Sequence, residues 1–280
     1  TANVLLAAAL SEKPVVIYNA ACEPYIEQLC RMLRNMGAKI AGDSTNRINI
    51  IGANTLKGTI HTVLPDFIEV ASFISLAAIT NSQIIIRNVK YFDNSDINVD
   101  NIGQTLLPFK KLGIDFELES RQLSDTQSVF DIRVADNTKY IVSTFSSGEV
   151  LQIYDAPWPN ISPDILSVLL TAAVQSKGTV LIHQKMFESR LYFVDKLIGM
   201  GAQIILCDPH RAIVVGLNRK KKLSGAKLES PDIRAGMALL IAAISAEGES
   251  IISNADQIEK GYENIIKRLQ NLGVNISKVE

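Results

Sequence analysis

LRNMGAKI (residues 33–40) returns three times along the chain, as FKKLGIDF (109–116), LIGMGAQI (197–204) and LQNLGVNI (269–276). In each copy an amphipathic run ends at a glycine, Gly37, Gly113, Gly201 or Gly273, and a short apolar run follows. Glycine there predicts a helix that stops in a left-handed residue, a conformation glycine enters without steric penalty. Working outward, an apolar helical stretch and a short β-branched strand precede each such helix. In the first copy these are ANVLLAAAL (2–10) and VVIYNA (15–20). A repeated supersecondary unit dictates the architecture before any single residue is considered.

The units run over residues 1–56, about 65–133, 163–216 and 231–279. Strands are short and β-branched: IIIRNV (84–89), TVLIHQ (179–184), AIVVG (212–216) and SIISNA (250–255). The STNR turn between AKIAG and INIIG is a hairpin signal. On the helix after VVIYNA, apolar Ile26, Leu29, Cys30 and Leu33 recur at spacings of three and four, so one face is buried. Hairpins alternating with helices predict an α+β fold, layered, with sheets outside and paired helices inside.

Composition narrows the function. The 280 residues carry a net charge of −1, which gives nucleic acid no basic field to feel. The one dense basic cluster, RKKK (219–222), reads as a solvated turn between strands, with a phosphate site as the alternative. No apolar run approaches the roughly 20 residues of a membrane span, so no membrane partner is expected. Residues 1–17 lack a basic leading segment and a cleavage site, which predicts no signal peptide. Cys22, Cys30 and Cys207 have no metal-ligand spacing and read as reduced thiols; His61, His183 and His210 are scattered. No metal is expected.

Three units begin alike: LPDFIEVASFISLAAI (64–79), SPDILSVLLTAAV (162–174) and SPDIRAGMALLIAAI (230–244). Proline suits a first helical turn, and aspartate accepts hydrogen bonds from its free N–H groups. Helix capping therefore accounts for Asp66, Asp164 and Asp232 taken singly. Taken together, helix starts that converge by internal symmetry would line one cleft with carboxylates and free N–H groups.

The stretches TVLPDFIEVASFISLAA, DAPWPNISPDILSVLL, HQKMFESRLYFVDKLIGMGAQI and SPDIRAGMALLIAA with GYENIIKRLQNLGVNI resemble the UDP-N-acetylglucosamine enolpyruvyl transferase (1-carboxyvinyltransferase) family. The likeness covers the whole chain, rests above all on MFESRL and PDIRAG, and is closest in style to the Bacteroidetes branch. It implies repeated βαβαββ units, an inside-out α/β barrel, with six units in two domains and the active site between them. Only four units are present, so the resemblance implies that about the first third is absent. Residues 1–63 would be the last unit of the first domain, and 64–280 the second domain of three units. The absent part would hold a flexible loop with a catalytic Cys or Asp; none of the three cysteines here matches it.

The resemblance implies transfer of the enolpyruvyl group of phosphoenolpyruvate to the 3-hydroxyl of UDP-N-acetylglucosamine, releasing phosphate. That is the first committed step of peptidoglycan synthesis, a cytoplasmic reaction without a cofactor. It assigns Asp164 to the sugar hydroxyl as ligand or base, Met186 and Phe187 to the border of the uridine–sugar site, and Arg190 to phosphoenolpyruvate. It also implies that Asp232 and Arg234 are a catalytic pair facing phosphoenolpyruvate, and that Glu188 holds a cation in place behind them. Lys260 departs from the arginine usual before Gly-Tyr, and lysine cannot make a planar two-bond grip on an anion. The chain alone is expected to be inactive. Two rivals remain: a 5-enolpyruvylshikimate-3-phosphate synthase-like enzyme, favoured less by FESRLYFV and WPNISPD, and a non-catalytic repeat scaffold.

Overall fold

The computed structural model describes residues 1–92, 101–124, 127–144 and 148–279. It divides into two compact units. The first comprises Thr1–Pro65 with the short segment Pro157–Asn160. It holds α1 (Ala2–Ala8), β1 (Val15–Tyr18), α2 (Pro24–Met36), β2 (Lys39–Ala41) and β3 (Arg47–Ile51). The strands form an antiparallel sheet in the order β1-β3-β2. Alternation along β3 turns Ile48 and Ile50 inward onto Leu5, Ile26, Cys30 and Leu33, all buried. Burial pushes the Cys30 thiol up to about 11, so it behaves as a small apolar core residue. The helix α2 stops at Gly37 with φ 119°, as its sequence predicts.

The second unit begins at Asp66 and repeats one pattern. Its helices α3 (Phe67–Thr80), α4 (Asn101–Lys111), α5 (Leu166–Ala173), α6 (Val194–Gly199) and α7 (Ile233–Ser245) are followed by the short α8 (Asp256–Glu259) and α9 (Ile265–Asn271). The helices α3, α5 and α7 pack pairwise against one another. FIEVASFISLAAIT is apolar on nearly every side, which suits a helix with neighbours all round. Hydroxyls within these helices turn back onto their own turns: Ser72 Oγ donates to Ile68 O at 2.9 Å and Thr171 Oγ1 to Ser167 O at 3.1 Å.

Around the helices lie separate sheets. One holds β4 (Ile84–Phe92), β5 (Phe116–Ser124) and β6 (Gln127–Val134) in the order β4-β6-β5. Another holds β7 (Leu151–Tyr154), β8 (Thr179–His183), β9 (Gln203–Asp208) and β10 (Arg211–Val215) in the order β7-β8-β10-β9. The parallel pair of β11 (Lys227–Glu229) and β12 (Ile251–Ser253) completes the set. The equivalent strands β4, β8 and β12 thus occupy different sheets, as independent repeats require. Two features depart from the sequence reading. The short strands β7 and β11 join their neighbours in parallel, and each is too short for a period-two pattern to announce it. The last unit lacks the closing hairpin of the others: residues 274–279 form no strand.

The basic turn is a correction too. Lys220, Lys221 and Lys222 are exposed, but Arg219 is not a solvated side chain. Its Nη1 donates to Ile79 O at 3.0 Å, its Nη2 to Ala78 O, and its Nε to Asn137 O at 3.1 Å. A guanidinium here gives donors to two carbonyls at the C-terminus of α3 and sits at the negative end of its dipole. The same turn serves α5, where Leu217 N donates to Val174 O at 2.7 Å and Gln175 Nε2 to Lys221 O at 3.0 Å.

Candidate functional site

The three Pro-Asp starts behave differently. Asp66 caps α3: its Oδ1 accepts from Ile68 N at 2.8 Å and Glu69 N at 3.3 Å. Asp232 caps α7, accepting from Arg234 N at 2.7 Å and Ala235 N at 2.9 Å. Asp164 does not cap. It lies inside a single 3-10 turn, Pro163–Ile165, and the cap is Ser162, whose Oγ accepts from Asp164 N at 3.4 Å. The Asp164 carboxylate is thereby left for side chains, and two arginines take it. Arg190 Nη1 donates to Oδ1 at 2.8 Å, and Arg234 Nη2 to Oδ2 at 3.0 Å.

Each partner reaches this point for a local reason. Arg234 is the second residue of α7, whose dipole and cap fix its backbone. Burial works against the Arg234 charge, but Asp164 and Tyr262 outweigh it and raise its pKa further. Arg190 ends a loop that leaves β8, and that loop is anchored by a residue the sequence reading missed. Asp155, wholly buried after β7, accepts from Gln184 Nε2 at 2.5 Å, from Lys185 N and from Met186 N at 3.1 Å. The available signal was a lone carboxylate directly after an alternating apolar strand. Beyond the anchor the loop passes through Ser189 at φ 63° and presents Met186 and Phe187, both about two-fifths exposed (41% and 43%). The Arg190 guanidinium stacks on the Phe187 ring, 3.8 Å from its centroid, and this aromatic face orients it toward Asp164.

Asp164, Arg190, Asp232 and Arg234 thus meet at the N-terminal ends of α5 and α7, although 70 residues separate Asp164 from Arg234. Arg190, Asp232 and Arg234 line one depression with Pro163, Ser167 and Gln184, and Asp164 is tied to it through the two arginines. Lys260 stands where α8 ends, exposed, and makes no ion pair with Asp164 or Asp232 among the described residues. Its successor Gly261 runs along the site: a Cβ there would lie 3.7 Å from Arg234 Nη1. Glu188 is exposed and holds no cation among the described residues; Arg190, two positions on, is held by Asp164 instead. Phe187 reaches the site through its contact with Arg190, while Met186 is tied by its main chain to Asp155 and not to Asp164, Arg190 or Arg234 among the described residues. Among the described residues no group of three His, Cys, Asp or Glu side chains could hold a metal ion.

Interior helices with separate outer sheets belong to a known class of protein. A profile of the family described as EPSP synthase (3-phosphoshikimate 1-carboxyvinyltransferase) matches residues 1–269, and the chain belongs to that family. The fold agrees with solved enolpyruvyl transferases. It superposes on NikO from Streptomyces tendae with a TM-score of 0.74 at 19% identity, over 98% of this chain and 58% of that one. It superposes on EPSP synthase from Acinetobacter baumannii with a TM-score of 0.70 at 19% identity, over 99% of this chain and 60% of that one. Within the family it is 56% identical to the UDP-N-acetylglucosamine 1-carboxyvinyltransferase of Bacteroides thetaiotaomicron over all of this chain and 60% of that one. The enzyme of the same name from Porphyromonas gingivalis is 51% identical over the same shares. The chain therefore spans about three-fifths of the length of these curated relatives (60%).

Proposed function

We propose that this chain is part of a UDP-N-acetylglucosamine 1-carboxyvinyltransferase acting in the cytoplasm. It would supply the sugar-facing carboxylate and two of the cations for transfer of an enolpyruvyl group from phosphoenolpyruvate to the sugar 3-hydroxyl. The observation that carries the reading is Asp164 held between Arg190 and Arg234. The reaction needs an acceptor for the hydroxyl proton beside cations that grip a phosphate and a carboxylate, and this cluster has both. The 51–56% identity to relatives of that name supports the nucleotide sugar over shikimate phosphate as acceptor.

In this reading Asp164 takes the proton of the 3-hydroxyl as its oxygen attacks C2 of phosphoenolpyruvate. The methylene carbon gains a proton from a donor outside these residues, giving a tetrahedral ketal phosphate. Loss of phosphate and of a methyl proton restores the double bond. Both Asp164 oxygens are occupied by guanidinium N–H groups, so the hydroxyl enters by exchange as Asp164 turns to it and leaves the guanidiniums to the anionic substrate. Met186 and Phe187 would border the nucleotide sugar, Asp232 would hold the start of α7 in place, and Lys260 would add a point charge toward phosphoenolpyruvate.

The test is phosphate release from phosphoenolpyruvate. It is assayed with UDP-N-acetylglucosamine or with shikimate 3-phosphate, on this chain and on a polypeptide of the relatives' length containing it. Release dependent on the nucleotide sugar is expected from the longer polypeptide. Release dependent on shikimate 3-phosphate alone would overturn the reading.

A further inference from the structure

Tyr262 is 1% exposed and belongs to none of the roles above. A buried phenol needs partners for its hydroxyl. One is Ser72 Oγ on α3, 2.8 Å away; the charged group beside the ring is Arg234 on α7, whose Nη1 would stand 3.7 Å from a Cβ on the adjoining Gly261. The direction of this chain of contacts follows from proton count. Ser72 has one hydroxyl proton and gives it to Ile68 O at 2.9 Å. Its lone pair therefore receives the Tyr262 proton, which leaves the phenol oxygen to face the N–H groups of Arg234. The order is fixed: Arg234 toward Tyr262, Tyr262 to Ser72, Ser72 to the first turn of α3. Gly261 permits the approach, since a Cβ at that position would come within 2.5 Å of Ile233 Cγ2.

We propose that Tyr262, pinned by Ser72, is a positioning residue: it holds the Arg234 guanidinium aimed at the anionic substrate when Asp164 turns to the sugar hydroxyl. The inference rests on the function proposed above. Without it Arg234 has one anchor, Asp164, and that anchor is the group the reaction borrows. With it the guanidinium keeps a second neighbour on a ring that is buried in the core and tied to α3 through Ser72. A ring that only filled space would work equally well without its oxygen.

The experiment compares wild type, Tyr262→Phe, Ser72→Ala and the double variant in a polypeptide of the relatives' length that contains this chain. Wild-type turnover with UDP-N-acetylglucosamine is read first, and its absence sinks the proposed function itself. Given that turnover, Tyr262→Phe is expected to raise KM for phosphoenolpyruvate by about 10-fold, the scale of one polar interaction with a charged group lost. KM for UDP-N-acetylglucosamine should stay within about 2-fold. Ser72→Ala should shift the same constant in the same direction by less, and the double variant should match Tyr262→Phe, because the links lie in series. In the 280-residue chain, the Arg234 side-chain Nε–H signal should be sharp in wild type and broadened by Tyr262→Phe. Wild-type kinetics in both single variants would overturn the proposal. So would equal changes in both KM values that track the melting temperature. Should Tyr262→Phe not fold, Ser72→Ala decides alone, and an unchanged KM for phosphoenolpyruvate then refutes it.

Discussion

SPDI occurs twice, at residues 162–165 and 230–233, and the same four letters fold to opposite ends. At the second site Asp232 is extended, with φ −158°, and caps α7, while the Ser230 hydroxyl donates to Asp232 O at 3.1 Å. At the first, Ser162 caps and Asp164 is carried into a 3-10 turn, free to meet Arg190 and Arg234. Replacing Asp66 by alanine should therefore lower stability by about 1 kcal/mol, the loss of one cap, with turnover unchanged. Asp164→Ala should instead reduce turnover by about 10²–10⁴-fold, the range for a lost acid–base group. Urea unfolding and steady-state kinetics on both variants separate the two effects. Equal rate losses would mean that Asp164 has no chemical role. Residue types alone could place an aspartate at each helix start; which one stays uncapped depends on the backbone of one turn, and no spacing rule records that. The pairing of Arg190 with Asp164 was equally hidden, because the loop between them is set by Asp155.

The helix-ending glycines were legible as elements, and all four adopt the left-handed conformation, with φ from 81° at Gly113 to 119° at Gly37. Their tolerance of change differs in a way the repeated motif conceals. An added Cβ at Gly113 would meet Ile141 O at 2.2 Å, whereas at Gly273 it would meet open space. Gly273→Ala should lower stability by about 1–2 kcal/mol, the left-handed penalty alone. Gly113→Ala should exceed that clearly, because backbone must move as well. Thermal unfolding of the pair checks it, and matching losses would show that the crowding relaxes without penalty. A similar contrast concerns Arg219. Its contacts with Ala78, Ile79 and Asn137 predict that Arg219→Ala lowers the melting temperature while Lys221→Ala, which keeps the main-chain carbonyl that Gln175 uses, does not. Charge clustering in the sequence could not single out the first residue of RKKK, since the four side chains differ only in what the fold brings to them.

Both compact units answer acid alike. Asp131 is a buried carboxylate on β6; burial works against its charge, but the Asn88 amide, Arg121 and Arg87 outweigh it and hold its pKa below 3.8. Asp43 in the first unit is lowered similarly, with burial again opposed by Arg34. A carboxyl whose folded value lies below its unfolded one stabilises the fold above the unfolded value and stops doing so as pH falls through the folded value. The urea midpoint should thus fall as pH drops below about 4, and Asp131→Asn should flatten that fall. An unchanged slope in the variant would assign the loss to other groups. Turnover by the 280-residue chain alone should be negligible, since closure around substrate needs two walls; phosphate release at about 1 per second or faster would contradict that. The repeat architecture was readable because helix and strand periods survive in each copy, whereas β7 and β11 were too brief to leave a period. The Arg219 plug has one more consequence. Three look-alike units invite the idea of interchangeable modules, yet the side chain that finishes the second unit's helix is encoded after the third unit's sheet. Reordering or excising units would separate a helix from its terminator, so the copies, once duplicated, could diverge but no longer be shuffled.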